Sequence, residues 1–262
     1  MLIVLTVAIA FVSSCKKDET PIDPPVTCHL AKIDMTVFGT TVTSTITYNP
    51  ALQVVDMETN DNGTLSGTKY SYTAAGKVAT MEEYEGASKD VTTKTEYTYG
   101  TNGVTEEKIY TDNGGTLQLV GVNRFEYAGT QMTKKNVFSI IAGQEVKTDY
   151  MEYSYASTNN VTAIVTYSDD GLGGWEPTGR ITYSYNDKTP TRFLLGLMAE
   201  DPNFPASNYI VLEREDAYDP IKQDWEETSE LDYAYTFDSH GNPTKINAGQ
   251  GLVIFDLTYN CQ

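Results

Sequence analysis

The chain has 262 residues and a formal net charge of −18, from 36 acidic and 18 basic side chains. That balance excludes the basic surfaces that nucleic acid and anionic lipid select, so no nucleic-acid partner is expected. After the first residues no apolar run approaches the roughly 20 residues of a membrane helix.

The chain opens on Met1, an apolar run from Leu2 to Val12, and then Ser13-Ser14-Cys15. About 11 apolar residues are too few to span a bilayer but suit the core of a secretory signal. Val12-Ser13-Ser14-Cys15 resembles the lipobox of bacterial lipoproteins, in which the signal is cut before the cysteine. The resemblance implies a signal peptide over 1–14, a lipid on Cys15 and a membrane held through that lipid. Lys16-Lys17-Asp18-Glu19 is similar to signals of Bacteroidota that send lipoproteins to the outer membrane. The implied location is therefore the outer membrane, on its periplasmic side or at the cell surface. No Lys or Arg precedes the apolar run, which fits a start codon lying upstream. Pro21, Pro24 and Pro25 make 15–27 an extended, semi-rigid tether.

Residues 28–262 read as one repeat-built β domain bracketed by Cys28 and Cys261. In an oxidising compartment a disulfide between these two is expected, with two unpaired thiols as the alternative. A Tyr-x-Tyr pair recurs at Tyr70/Tyr72, Tyr97/Tyr99, Tyr153/Tyr155, Tyr183/Tyr185 and Tyr233/Tyr235, with Phe125/Tyr127 as a variant. Ile46/Tyr48 and Leu257/Tyr259 are weaker end copies. Successive second aromatics are 24, 27, 28, 28, 30, 50 and 24 residues apart.

A period near 28 leaves room for a second strand per repeat, over Lys77–Tyr84, Val104–Tyr110, Met132–Ile140 and Val161–Tyr167. Turn residues such as Asn62-Gly63, Asn113-Gly114-Gly115 and Ala142-Gly143 separate them. The fold class is all-β: an antiparallel meander of about 14–17 strands in ~28-residue hairpin repeats, curled or closed into a barrel. Leu231, Tyr233, Tyr235 and Phe237 share one face, while Glu230, Asp232 and Thr236 share the other. The second strands look less regular. Val104, Glu106, Lys108 and Tyr110 fall on one face, which predicts strands with both faces partly wet.

The 50-residue step contains a long insertion near 190–208, with Phe193-Leu194-Leu195-Gly196-Leu197-Met198 and then Phe204. It is expected to plug or cover the sheet, or to grip a ligand. The repeat resembles the tyrosine–aspartate units of Rhs-type proteins, but Thr73, Gly100, Ala128, Ala156 and Thr236 stand where the aspartate belongs. The repeat together with Cys15-Lys16-Lys17-Asp18-Glu19 is more similar to a Bacteroidota lipoprotein family of unknown function with a porin-like β fold. That resemblance implies an envelope lipoprotein and no particular reaction.

Chemistry-bearing motifs are scarce. The two histidines, His29 and His240, have no metal-ligand spacing between them or with the cysteines. No Gly-x-Ser-x-Gly elbow or phosphate loop occurs. Catalytic residues, metal and cofactor are all read as none. Glu82-Glu83, Glu106-Glu107, Asp169-Asp170, Glu213/Glu215 and Glu226-Glu227 are acidic pairs that sugar hydrolysis would require, but 36 acidic residues produce such pairs by chance. Asp61-Asn62-Gly63 and Asp169-Asp170-Gly171 read as turns rather than calcium loops. Trp175, Trp225, Phe193 and Phe204 are the candidate ligand-binding residues, as aromatic surfaces beside flexible acidic loops.

The expectation is a non-enzymatic, lipid-anchored envelope protein with a structural or binding role and a glycan or protein partner. The alternatives are a glycan-binding lipoprotein of polysaccharide uptake and an outer-membrane β-barrel pore.

Overall fold

A computed structural model describes residues 28–156, 160–189 and 206–261. Its sixteen strands follow one another along the chain. They are β1 Cys28–Val37, β2 Thr40–Tyr48, β3 Val54–Asp61, β4 Thr64–Tyr72, β5 Val78–Glu85, β6 Asp90–Tyr99, β7 Val104–Asp112 and β8 Leu117–Ala128. The second half comprises β9 Gln131–Ile141, β10 Gln144–Tyr155, β11 Val161–Asp169, β12 Trp175–Tyr185, β13 Ile210–Asp219, β14 Asp224–Phe237, β15 Pro243–Ala248 and β16 Val253–Cys261. Each pairs antiparallel with its sequence neighbours, and β16 returns to pair with β1, closing a barrel. Residues 1–27, read from the sequence as a lipoprotein signal and tether, and Phe193 and Phe204 of the insertion, lie outside the described residues.

Every second tyrosine of the repeat sits at the same end of the barrel, where the even-numbered strands finish. There the register slips by one residue in each repeat, at Ala31, Val55, Ala79, Thr105, Thr133, Thr162, Val211 and Thr244. Such a bulge leaves one residue unpaired and exchanges the faces of the strand beyond it. Where the extra residue is threonine, its hydroxyl donates to a carbonyl of the partner strand. Thr105 reaches Thr98 at 3.2 Å, Thr133 reaches Glu126 at 3.2 Å, and Thr162 reaches Ser154 at 3.2 Å.

The bulges correct the sequence reading of β7. Thr105 is the extra residue, so Val104 faces inward beside Tyr99, while Glu106, Lys108 and Tyr110 all face outward. The inner face of the strand carries Val104, Glu107 and Ile109, and Val104 is 2% exposed.

The tyrosine hydroxyls fasten this end. Tyr48 donates to the Leu30 carbonyl at 2.7 Å, Tyr72 to Val54 at 2.6 Å and Tyr127 to Val104 at 2.9 Å. Tyr155 donates to Met132 at 2.8 Å, Tyr185 to Val161 at 2.7 Å and Tyr235 to Ile210 at 2.6 Å. Each clip ties the end of one strand to the start of the preceding one, across the open mouth of a hairpin. The accepting carbonyls belong to the first apolar residues of their strands, which are buried and cannot turn to water. A disulfide joins Cys28 to Cys261 at the same end, with Cα atoms 4.0 Å apart.

Candidate functional site

The inner and outer faces of the wall differ in kind. Reading β1 to β5 at alternate positions, Ile33, Met35, Val42, Met57, Tyr70 and Met81 line an interior cavity. Between them, Asp34, Thr43, Glu58, Lys69 and Glu82 point outward. The outer wall is laced with ion pairs. Lys32 meets Asp34 at 2.6 Å, Lys94 meets Glu96 at 2.9 Å, and Arg124 meets Glu106 at 3.1 Å and Glu145 at 2.7 Å. The interior is therefore the apolar side, as in a barrel that carries its core inside and meets water outside.

Composition also changes along the barrel axis. At the tyrosine end the inward residues are large and apolar: Tyr72 and Tyr70 on β4, Val78 and Met81 on β5, Tyr155 and Tyr153 on β10, Val161 and Ile164 on β11. Further in, the same faces carry Thr68, Glu83, Asp149, Thr166 and Ser168. The lumen holds a cavity of about 1250 Å³ whose lining reaches from Tyr72 and Val78 at the tyrosine end to Met35, Val42 and Val253 toward the opposite end. Its mouth lies between the connections at the tyrosine end, where Leu52, Gln53, Gly76, Lys77 and Thr101–Gly103 line it. Lys77 lies over the Tyr99 ring at 4.7 Å, and His29 sits 5.6 Å from the Tyr48 ring.

Burial raises the lumenal tyrosines. Tyr48 and Tyr155 are pushed up to about 12, chiefly because the phenolate would lose its hydration. Tyr185 and Tyr235 are pushed higher for the same reason. These hydroxyls stay neutral donors throughout the physiological range.

Two acidic pairs of the sequence are divided by the wall, whereas Glu213 and Glu215, two apart on β13, both face inward beside Tyr183 and Ile181. Glu82 points out and Glu83 in; Glu106 points out to Arg124, and Glu107 points in to Asn123, whose amide donates at 3.0 Å. Neighbouring residues on a strand face opposite sides, so Glu82-Glu83 and Glu106-Glu107 cannot each share one site. Among the described residues the buried carboxylates are Glu107 and Asp216. Glu107 is lumenal. Asp216 is on the outer wall, where it accepts from Arg180 at 2.9 Å and Arg214 at 2.8 Å. The two guanidinium groups hold its carboxyl below the usual range despite a burial that alone would raise it. Asp169 and Asp170 cap their own turn. Asp170 accepts from the backbone of Leu172 at 2.7 Å and Gly174 at 2.8 Å.

Trp175 and Trp225 both lie on the outer wall, near the end opposite the tyrosines. Trp175 packs edge-on to Tyr150 at 5.2 Å, and the Lys147 ammonium lies over its ring at 4.8 Å. Trp225 packs edge-on to Tyr218 at 5.2 Å beneath the Arg180 guanidinium at 4.7 Å. A cation already covers a face of each indole, which leaves less room for a stacked sugar ring. The flanks of the long insertion leave from the tyrosine end, where Asn186 donates to the Tyr209 carbonyl at 3.1 Å and Asn160 accepts from Ser207 at 2.7 Å. The tryptophans and the insertion flanks are thus not brought together. The cavity instead gathers residues that no sequence motif marks, such as Met57 and Met81, together with Glu83, marked in the sequence only as half of an acidic pair. The signal for them was inward alternation, and the bulges scramble it.

No protein-family model matches the chain, and no curated protein is similar to it in sequence. Among solved structures, the fold is similar to a porin-like protein from Bacteroides vulgatus, with 10% identity and a TM-score of 0.56 over 88% of this chain and 98% of that one. A porin-like protein from Bacteroides uniformis matches at 15% identity over 88% of this chain and 96% of that one, with a TM-score of 0.49. A Bacteroides fragilis protein of unknown function matches 55% of this chain and 94% of its own at 11% identity and a TM-score of 0.40. At these identities the first likeness speaks to the barrel fold alone.

Proposed function

We propose that this chain is a non-enzymatic, lipid-anchored envelope barrel that holds a small molecule with an apolar body in its lumen. The observation that carries this reading is the inverted wall: an apolar cavity of about 1250 Å³ inside and ion pairs outside. A cavity of this size with a mostly apolar lining matches the general character of small-molecule sites. A barrel that faces lipid needs an apolar outer band. Here outward positions carry Lys32, Glu58, Lys108 and Lys134, so the pore reading lacks that support. The anchoring half rests on the Val12–Cys15 lipobox, and the envelope location on the same signal and on the porin-like shape.

Two measurements test the proposal. Radiolabelled palmitate is incorporated by the full chain and not by Cys15→Ala. Equal labelling of both would remove the anchor. For the lumen, the Cys15→Ala protein binds the apolar dye N-phenyl-1-naphthylamine saturably with enhanced fluorescence. Met57→Trp, which puts a larger ring into the cavity, lowers that affinity at least tenfold while the β signal in circular dichroism is kept. Absence of saturable binding, or binding indifferent to Met57→Trp in a folded barrel, would defeat the lumenal reading.

A further inference from the structure

We infer that the lumen selects an amphiphile with a cationic head, an alkyl or aryl amine, and seats the ammonium on Glu83. This rests on the lumenal reading above and adds the chemical class of the ligand. Glu83 is the one carboxylate among the residues that line the cavity. It follows Val78 and Met81 along the inner face of β5, where the apolar run of that strand gives way to a charge. Its cross-strand partners are Thr68 on β4 and Thr93 on β6, neutral side chains that supply no counter-charge. Among the described residues no lysine, arginine or histidine forms an ion pair with it.

The other charge lining the cavity is Lys77, at the mouth, where the Tyr99 ring already engages it. Deeper in the lumen Glu107 has its own partners, Asn123 and, at 3.9 Å, Lys135. Glu83 is thus a solvent-exposed lumenal carboxylate on the cavity wall, with no cation of its own among the described residues. A carboxylate so placed gains most from a ligand that brings a positive charge, because attraction strengthens as water is displaced. The net charge of −18 adds a field of the same sign, favouring approach of cations and disfavouring carboxylate ligands such as free fatty acids. An amine head on Glu83 places the attached hydrocarbon against Met57, Met81, Tyr70 and Val78, toward the mouth.

The test uses matched twelve-carbon probes on the Cys15→Ala protein: dodecylammonium, dodecanol and dodecanoate, measured by calorimetry and by displacement of N-phenyl-1-naphthylamine. Dodecylammonium binds about tenfold more tightly than dodecanol, and dodecanoate binds most weakly. Glu83→Gln removes the preference for the amine over the alcohol and leaves dodecanol affinity unchanged. Raising salt from 50 to 500 mM narrows the gap in the native protein and has no such effect in Glu83→Gln. If the three probes bind equally, or the preference survives Glu83→Gln, the assignment of Glu83 is wrong while the lumenal reading stands. If none binds and the dye is also excluded, the lumenal reading itself fails.

Discussion

Replacing Cys28 and Cys261 by serine lowers the free energy of unfolding by up to about 5 kcal/mol and leaves the barrel closed. The two cysteines are 233 residues apart in sequence, so the bridge removes the entropy of a very long loop from the unfolded chain. The folded state has little need of it. β1 and β16 remain paired from His29 against Asn260 to Val37 against Val253, and Tyr48 still clips Leu30. Denaturant melts of the double variant, and of the native protein with reductant, therefore show the same fall in midpoint. The native circular dichroism spectrum is retained at zero denaturant in both. Midpoints that do not move would mean that the unfolded chain is not constrained by the bridge. Loss of native signal without denaturant would mean that the disulfide holds the seam.

The second large effect is alkaline. Tyr48, Tyr70, Tyr155 and Tyr209 are raised to about 12, chiefly by burial, and Tyr185, Tyr235 and Tyr259 are raised further. In the unfolded chain tyrosine releases its proton near pH 10. Between pH 10 and 12 the unfolded state thus loses protons that the folded state keeps, and the equilibrium moves toward unfolding. The stabilisation is fully present below pH 10 and is lost as pH rises through 12. Several tyrosines act together, so the decline is steep. Ionisation also removes the donors of the clips to Leu30, Met132 and Val161. Tyrosinate absorbance near 295 nm is expected to rise in one cooperative step above pH 10, together with loss of the β signal. A gradual rise centred at pH 10 with the β signal intact would overturn this.

Much of the architecture was legible because the aromatic strands are periodic at two scales. The Tyr-x-Tyr spacing marks one face of a strand, and its return about every 28 residues marks a hairpin. A count of about 14–17 strands followed, and sixteen are present. Leu231, Tyr233, Tyr235 and Phe237 alternate with Glu230 and Asp232 as read, with the aromatics packed inside. The second strands were obscured by the bulges. A single extra residue such as Thr105 exchanges the two faces, and strict alternation then averages an apolar face with a charged one.

The site was less legible than the fold for a related reason. Glu83 was visible only as half of Glu82-Glu83, and nothing local distinguishes the lumenal carboxylate from the outer one. Phase from Tyr84 misleads, since this tyrosine lies on the outer wall. It is 1% exposed there, covering Gly67, with its hydroxyl on Asp56 at 2.9 Å and the Lys69 and Lys89 ammoniums over its ring. A side chain at Gly67 would meet the Tyr84 oxygen at 2.5 Å, so that close approach needs a glycine. The tryptophans stood out by rarity, but their setting on the outer wall under Lys147 and Arg180 depends on pairings that composition does not report.

The sequential order of the strands has a kinetic consequence. Every pairing except one joins neighbours along the chain, so hairpins form locally and the sheet extends by adding the next short-range contact. The meeting of β1 with β16 is the exception, because it gathers chain ends that a growing, twisting ribbon has to bring round. Until that meeting, two unsatisfied edges are presented to solvent, the condition in which a sheet is most prone to join another molecule. Crowding of newly made chains therefore threatens this protein chiefly in the interval before its last seam is made.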